Sequence, residues 1–315
     1  MNFLLTAIVA VLVFGTVVLV HEAGHFFAAR HCGIHVEEFS IGFGPALWST
    51  VRGGTRYSVR LLPLGGYNNL AGETPEESED PDEQERAEPA KKQDAAAASV
   101  HTYDPHAPLF PLTVDGKSFV EASPWQRFFV IAAGALMNFV LGFVVLVLLI
   151  SARNEPITSR VIYKINEGAL CGQTGLEAGD KVLAVNGRRC FVANDMIYEL
   201  VRAEQYRADF TVLRDGKTVE LPDVQFDTWV DDSGETHMSL GFTVYGIQKT
   251  PLNVLKEAGN SVLYYGRIIY TSLADLVRGR ESINDLSGPV GIVTAIGQAA
   301  SYGWQDLLEL LALIT

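Results

Sequence analysis

Two histidines and a glutamate lie close together in the segment VLVHEAGHFFAARH near the start of the chain. His21 and His25 are four residues apart, so on an α-helix they lie on one face and can hold one metal ion. Glu22 points to the neighbouring sector, from which its carboxylate can reach a water molecule bound to that ion. Two imidazole ligands beside a carboxylate base are the arrangement of a zinc hydrolase. The spacing therefore predicts one Zn²⁺ per chain, bound by His21 and His25, with Glu22 as the catalytic general base.

The motif ends an almost uncharged run, because no Lys, Arg, Asp or Glu precedes Glu22. Leu4 to Val20 is apolar, and the helix is predicted to continue through Ala29, which is long enough to cross a bilayer. The run lacks the basic start and the small-residue cleavage site of a signal peptide. The alternative interpretation of the motif is a polar helix end at the membrane surface. Ionisable groups beside a spanning segment are costly, however, and by default mark function.

The rest of the chain alternates apolar and polar stretches. Of its 315 residues 48% are hydrophobic, and its net charge is −13. Phe128 to Ile150 predicts a second span, and apolar Leu307 to Thr315 predicts the start of a fourth. Leu255 to Val277 predicts a weaker third span that faces protein or water in part, because it carries Lys256, Glu257, Arg267 and Asp275. Basic residues near the span ends predict an outside N-terminus, with the histidines near the cytoplasmic face.

A hairpin is predicted after the first helix, within residues 34–72. Val36 to Phe43 and Tyr57 to Leu62 are strand-like and are joined through Gly53-Gly54. One interpretation is an ordinary surface hairpin. The functional alternative is a membrane-associated edge strand beside the metal, which presents unpaired backbone groups to an extended substrate.

Residues 73–118 differ in composition from the rest of the chain. Between Glu73 and Asp94, ten acidic residues oppose three basic ones, and no aromatic residue occurs before Tyr103. This composition predicts a disordered, solvated insertion on the cytoplasmic side. A linker is the simpler interpretation and a partner-binding segment the alternative. His101 and His106 lie in this insertion and are not expected to be ligands.

A compact β-rich domain is predicted between the second and third spans. Lys181 to Val185 is strand-like, Met196 to Val201 has helical spacing, and Asp215-Gly216 is the turn of a hairpin. The segment GLEAGDKVLAVNG resembles the most recognisable part of a PDZ domain. The segment SLGF resembles the loop with which such domains bind a peptide C-terminal carboxylate, which assigns that role to Ser239, Leu240, Gly241 and Phe242. Because SLGF follows the other strands in sequence, the match implies a permuted strand order.

The order of these motifs, ending in LSGPVGI (286–292), resembles the site-2 protease family of bacterial intramembrane zinc metalloproteases, which cleave membrane-anchored anti-sigma factors. The resemblance implies hydrolysis of a peptide bond in or near the span of a single-pass membrane protein, for example an anti-sigma factor, in the bacterial inner membrane. It also implies that GALMN is the family's Gly-x-x-x-Asn segment. Gly134 and Asn138 would then bind substrate, with Asn138 near the scissile backbone. The alternative for Asn138 is a helix–helix hydrogen bond.

The chain departs from the family pattern at its end. The family supplies a third zinc ligand as the aspartate of a Leu-Asp-Gly motif, and this sequence stops at LLALIT, where that stretch is expected. Asp285 and Asp306 lack that context and are not expected to be ligands. We therefore expect the third ligand beyond Thr315.

The predicted fold is a multi-pass α-helical membrane core with an inserted extracytoplasmic PDZ domain. In chain order, the segments are a first span with the zinc motif (1–33), the hairpin region (34–72), the acidic insertion (73–118), a second span (119–152), the PDZ domain (153–248), a third span (249–280), and a cytoplasmic loop with a truncated fourth span (281–315).

Two other functional classes stay open. A catalytically silent membrane adaptor would act through its PDZ domain, but the presence of Glu22 favours an enzyme. A zinc transporter would also place histidines in spans, but it has no evident use for a PDZ domain or for Glu22. The sequence contains no nucleotide-binding Gly-rich loop and no basic patch typical of nucleic-acid binding. Cys32 should face the reducing side, and a disulfide between Cys171 and Cys190 is conceivable but has no framework pattern to support it.

Overall fold

Helix α1 (Phe3–His31) and helix α2 (Pro124–Ala152) are the long apolar helices of the structure. Each has 29 residues and therefore rises about 44 Å, more than the hydrocarbon core of a bilayer, which is about 30 Å thick. The computed structural model describes residues 3–73, 116–279 and 288–315. Within these ranges, α1 and α2 alone are long and apolar enough to cross a membrane. Both contain the helical segments that the sequence predicts as first and second spans.

The structure divides into two compact units, one within residues 2–140 and the other within residues 141–315. In the first unit, α1 is followed by the antiparallel strands β1 (Val36–Arg52) and β2 (Thr55–Leu70). The hairpin is confirmed, and its strands are longer than predicted. The outer parts of the strands are exposed and lack the alternation of apolar and polar residues from which a half-buried strand is recognised.

The second half of β2 returns to α1. Phe39 in β1 faces Tyr57 on one side and Asn68 on the other, so this part of β1 lies between two segments of β2. A small apolar core then joins the end of α1, the base of the hairpin and the start of α2, and it includes Ala28, Ala29, Ile34, Val36, Leu70, Ala122, Val130 and Ala133. This core holds α1, β2 and α2 together around the histidines.

The second unit contains a β-rich domain (157–247). Its elements in chain order are β3 (Ile157–Ile165), α3 (Leu170–Gln173), β4 (Lys181–Val185), β5 (Arg188–Arg189), α4 (Ala193–Val201), β6 (Arg207–Arg214), β7 (Lys217–Gln225), β8 (Asp227–Val230), β9 (Thr236–Ser239) and β10 (Phe242–Ile247). The main sheet has the order β10-β3-β4-β6-β7, with β5 paired to β4. The last strand in sequence therefore lies beside the first, as a permuted order requires.

Local signals in this domain agree with its structure. The β6–β7 turn has positive φ at both central residues, +49° at Asp215 and +76° at Gly216, which is the type I′ geometry that an Asp-Gly pair favours. The predicted helix at Met196 to Val201 is present as α4 and begins earlier, because Asp195 Oδ2 accepts hydrogen bonds from the backbone N–H groups of Phe191 and Val192.

Helix α5 (Pro251–Val277) covers the segment for which the sequence predicts a third span. Two of its charged side chains contact the β-rich domain. Arg267 donates a hydrogen bond to Asp195, and Asp275 accepts one from Arg202. The helix is confirmed, and its polar residues explain why its predicted apolar character is weak.

Two further helices end the chain, α6 (Pro289–Tyr302) and α7 (Trp304–Ile314). Helix α7 contains the apolar stretch predicted as the start of a fourth span. Several predictions lie outside the described residues, namely most of the acidic insertion with His101 and His106, Asp285, and the first two residues of LSGPVGI.

All three cysteines lie among the described residues and are free. Cys171 and Cys190 are buried in the core of the β-rich domain, and Cys32 is half-buried. Burial raises the pKa of the Cys190 thiol to about 12. The conceivable disulfide between Cys171 and Cys190 is not formed in this structure.

Candidate active site

The two motif histidines converge as their spacing predicts. Their Nε2 atoms are 3.1 Å apart, and the ring centroids are 4.7 Å apart with the planes at 79°. Two nitrogens at about 2.0–2.1 Å from a tetrahedral zinc ion are about 3.3 Å apart. The distance between the Nε2 atoms of His21 and His25 is therefore close to that of two ligands of one ion.

The orientation of His25 is set by helix α2. Its Nδ1 lies 2.7 Å from the backbone oxygen of Val130, which only accepts hydrogen bonds. Nδ1 must therefore carry the ring proton, which leaves Nε2 with a free lone pair for a metal. Ligand histidines generally have such a partner on the second nitrogen, where it fixes the tautomer and the ring orientation.

Asn138 occupies the corresponding position beside His21. Its side-chain Nδ2 lies 3.4 Å from His21 Nδ1, and its Oδ1 is buried without a hydrogen bond from any described residue. If His21 Nε2 is to bind a metal, His21 Nδ1 must carry the proton and needs an acceptor. Rotation of the amide by 180° places Oδ1 beside His21 Nδ1, where it can accept that hydrogen bond. Asn138 thus joins α2 to α1 at a ligand histidine.

Gly134 leaves the space between the histidines open. A Cβ atom at this position would lie 2.4 Å from His25 Nε2 and 2.7 Å from His21 Nε2. The side chain of any other residue would therefore fill the space where a shared metal ion would bind. Two converging nitrogens, oriented through their opposite ring atoms and facing a space of this size, fit a zinc ion.

Gly24 allows the helices that carry these residues to pack closely. A Cβ atom on Gly24 would lie 2.5 Å from the backbone oxygen of Ala133 and 2.8 Å from Met137 Cγ. Close approach of backbones at small residues is how membrane helices pack. It brings Gly134 of α2 against the histidines of α1.

Glu22 contacts the hairpin and does not join the histidines as a ligand. Asn68 in β2 donates from Nδ2 to the Glu22 backbone oxygen at 2.6 Å and to Glu22 Oε2 at 2.9 Å. Among the described residues, no third His, Cys, Asp or Glu offers a ligand atom within 4.8 Å of one on each histidine. The Glu22 carboxylate is therefore not placed as a third ligand of the pair.

A polar network stiffens the hairpin near Glu22. Arg60 donates to Glu38 Oε1 at 2.8 Å and to Ser40 Oγ at 2.9 Å, and Ser58 donates to Glu38 Oε1 at 2.6 Å. Burial raises the pKa of Glu38, but the hydrogen bonds from Ser58 and Arg60 outweigh this effect, so the pKa is lowered overall. Glu38 is therefore ionised and holds the strands in register.

The outer hairpin exposes large apolar side chains, whereas these are normally buried in a protein surrounded by water. The exposed residues are Phe43, Leu47, Trp48, Val51, Leu61 and Leu62. A contiguous set of this kind marks an interaction site for protein or membrane.

The SLGF loop of the β-rich domain precedes an edge strand. Gly241 has φ +66°, and its backbone oxygen accepts a hydrogen bond from Asn166 N at 2.8 Å. A Cβ atom there would lie 2.9 Å from Ala169 Cβ, so this position requires glycine for both conformation and space. Leu240 packs against the core, Phe242 belongs to it, and Ser239 ends β9. Among the described strands, β10 pairs only with β3, so its other edge is open.

A separate group of three ligand-type side chains lies on the exposed β8–β9 hairpin. It consists of Asp231, Glu235 and His237. Asp231 Oδ1 accepts hydrogen bonds from the hydroxyl and the backbone N–H of Ser233 and from the backbone N–H of Glu235. These contacts close the turn, so the group has a structural explanation.

The structure thus brings together His21, His25, Gly134 and Asn138, with Glu22 beside them. Asn68, Gly24 and Gly66 also contribute to the site, and none of them is among the residues from which it was predicted. Gly66 lets β2 approach β1, since a Cβ atom there would lie 2.6 Å from the Ser40 backbone oxygen, and it lies beside Glu22, whose Cγ would be at an ordinary contact distance of 3.5 Å. Asn68 had one sequence signal, because asparagine is depleted in strands and two occur in a row here.

The chain is similar to known proteins over nearly its whole length. Residues 9–315 match the model of Peptidase family M50. The chain is 29% identical to "Regulator of sigma-W protease RasP" of Bacillus subtilis (strain 168), over 99% of this chain and 84% of the relative. It is 30% identical to "Zinc metalloprotease RasP" of Bacillus licheniformis, over 98% and 84%, and 29% identical to the protein of that name from Geobacillus kaustophilus, over 95% and 80%.

Proposed function

We propose, on the premise that this chain belongs to peptidase family M50, the site-2 proteases, that it hydrolyses a peptide bond within or near the span of a membrane protein. The chain is a zinc metalloprotease. The observation that carries the proposal is the convergence of His21 and His25 on the space that Gly134 leaves open, with Glu22 one residue away. These groups lie on the two helices that are apolar enough to cross a membrane.

His21 and His25 would hold one zinc ion per chain through their Nε2 atoms. Val130 orients the ring of His25, and Asn138 orients the ring of His21. When bound, such an ion lowers the pKa of a coordinated water to about 7.

Glu22 would act as the general base and then as the general acid. Its Oε2 is held by Asn68, so Oε1 is the atom we assign to take the proton. The carboxylate would then release that proton to the amide nitrogen of the departing peptide. This transfer needs a carboxylate of fixed orientation, which the contact with Asn68 supports.

The substrate would bind in an extended form. A helix in lipid has satisfied backbone groups, and an unwound segment must find new partners for them. The segment of β2 from Gly66 to Asn68 lies beside Glu22 and has β1 on its other side, so we propose that the substrate adds to this segment as a strand. The exposed apolar side chains of the outer hairpin support its contact with the bilayer.

Substrate class and location follow from the likeness to relatives. One relative is named for the regulation of sigma-W, and by analogy we propose a single-pass membrane protein such as an anti-sigma factor. We place the enzyme in the bacterial inner membrane, with the histidines near the cytoplasmic side and the β-rich domain outside the cytoplasm. We further propose that this domain is a permuted PDZ domain that binds a peptide C-terminus through Ser239 to Phe242 and the open edge of β10.

The test of the proposed function is Glu22→Gln in the purified full-length protein. This substitution keeps the size and the hydrogen-bonding capacity of the side chain but removes the base. Cleavage of a single-span substrate should fall by at least about 100-fold, while bound zinc stays unchanged. Glu37→Gln is the matched control, because Glu37 is also half-buried and also accepts a hydrogen bond from an asparagine of β2. Undiminished turnover by the Glu22 variant would refute the assigned mechanism and favour a different role for the site.

A further inference from the structure

We propose that Asn68 is a positioning residue for the catalytic carboxylate, and that β2 thereby connects the substrate-binding edge to Glu22. This inference rests on the proposed function, since it takes Glu22 as the base. Asn68 is outside the H-E-x-x-H and GALMN motifs and lies 46 residues from its partner in sequence.

The amide of Asn68 has only one orientation that satisfies its surroundings. Nδ2 lies 2.6 Å from the backbone oxygen of Glu22 and 2.9 Å from its Oε2. Both partners are acceptors, whereas Oδ1 is an acceptor with no hydrogen to give. Exchange of the two amide atoms would place an oxygen against two oxygens. The NH₂ group must therefore face Glu22.

This orientation leaves one buried acceptor without a hydrogen bond, which is energetically unfavourable. Asn68 Oδ1 is buried and accepts no hydrogen bond from any described residue. Unpaired buried acceptors are rare and unfavourable, so each one calls for an explanation. Here the explanation is that Nδ2 is held on Glu22, and that Oδ1 remains open at the edge where we place the substrate.

The hairpin delivers Asn68 to this position. Asn68 faces Phe39 in β1, and two residues earlier Gly66 allows β2 to pair closely with β1 beside the Glu22 side chain. Asn68 thus binds both the backbone and the side chain of Glu22, which fixes a side chain that otherwise has three rotatable bonds. Loss of such an outer partner generally lowers activity by about 10- to 100-fold, because a small misplacement of a catalytic group is costly.

The test uses two neighbouring asparagines with similar contacts. Asn69, the next residue of the strand, donates from Nδ2 to Glu37 Oε2 at 2.7 Å, and this carboxylate lies outside the H-E-x-x-H motif. Asn68→Ala should lower kcat by about 10- to 100-fold with KM and bound zinc nearly unchanged. Asn69→Ala should leave kcat within about twofold. Asn68→Gln, which keeps the NH₂ donor, should recover part of the loss, as a donor role requires.

A fourth variant keeps the proposal testable if Asn68→Ala folds poorly. Asn68→Asp keeps the shape of the side chain but turns an acceptor toward Glu22, and it should lose at least as much kcat as Asn68→Ala. Equal kcat in the Asn68 and Asn69 variants, or a parallel loss of zinc, would overturn the proposal.

Glu22→Gln is measured in the same assay. If that variant stays active, the proposed function itself fails. If it is inactive while Asn68→Ala is normal, the positioning role of Asn68 alone fails.

Discussion

The histidine site and the β-rich domain both bury polar side chains, but they satisfy them differently. In the β-rich domain, Asp180 is fully buried, and both of its oxygens accept hydrogen bonds from Arg214 at 2.7 Å. At the histidine site, Asn68 Oδ1 is buried without a donor among the described residues, and two Nε2 atoms face each other. In the β-rich domain the buried carboxylate thus finds its partner within the protein, as a structural ion pair requires. At the histidine site the buried polar atoms lack such partners, which indicates that they bind groups from outside the protein.

The difference predicts opposite outcomes for small substitutions in the two regions. At the histidine site, one added methyl group should abolish function while the fold survives. In the β-rich domain, loss of one ion-pair partner should destabilise the fold and leave the metal site intact.

The largest expected effect is that of Gly134→Ala. The new Cβ would lie 2.4 Å from His25 Nε2, in the space that we assign to the metal. Zinc affinity and cleavage should both fall by about 100-fold or more. Metal analysis and a cleavage assay on the purified full-length protein would measure this. Gly15→Ala on α1 is the control, because its Cβ would meet nothing closer than the Pro63 backbone oxygen at 3.5 Å. Full zinc occupancy in the Gly134 variant would place the metal elsewhere.

A smaller effect is expected from Arg214→Ala in strand β6. It leaves the buried carboxylate of Asp180 without its cation, which should cost about 3 kcal/mol. Arg207→Ala, at the other end of β6, is the matched control. Its partner Asp223 is 55% exposed, and exposed pairs contribute between about 0 and 1 kcal/mol. Hydrogen exchange of β4 and β6 in the full-length protein should be much faster in the Arg214 variant alone, with bound zinc unchanged. Similar hydrogen-exchange rates in both variants would show that the buried pair with Asp180 stabilises the domain no more than the exposed pair with Asp223.

The predictable part of the molecule is the part set by local sequence. The i, i+4 spacing of His21 and His25 needs only a helix, and the apolar run around them supplies one. The turn at Asp215-Gly216 is likewise a property of two adjacent residues. Asn68 could not be assigned to Glu22 in this way, since their contact depends on how the hairpin folds back along α1. The outer strands also escaped prediction, because exposed apolar residues such as Trp48 show no alternation.

The smallest expected effect concerns helix α5, for which sequence and structure raise different expectations. The sequence predicts a span at 249–280, whereas Arg267 and Asp275 both bind partners in the β-rich domain. A charge in a lipid-facing helix is costly, but a charge paired with a domain in water is not. We therefore expect the C-terminal half of α5 to lie along the β-rich domain, on the same side of the membrane.

Single cysteines at Tyr270 and Val277, which are 73% and 87% exposed, would show on which side of the membrane the C-terminal half of α5 lies. Neither substitution should lower cleavage activity. The background of the assay is low, because Cys171 and Cys190 are buried, and burial raises the pKa of Cys190 to about 12. With Cys32 replaced by serine, a membrane-impermeant maleimide added to intact spheroplasts should label both new cysteines. A cysteine at exposed Leu252, at the start of α5, is the positive control, since both arrangements place it outside the cytoplasm. Labelling at Leu252 alone would show that α5 crosses the membrane and that its ion pairs with the β-rich domain do not form in the bilayer.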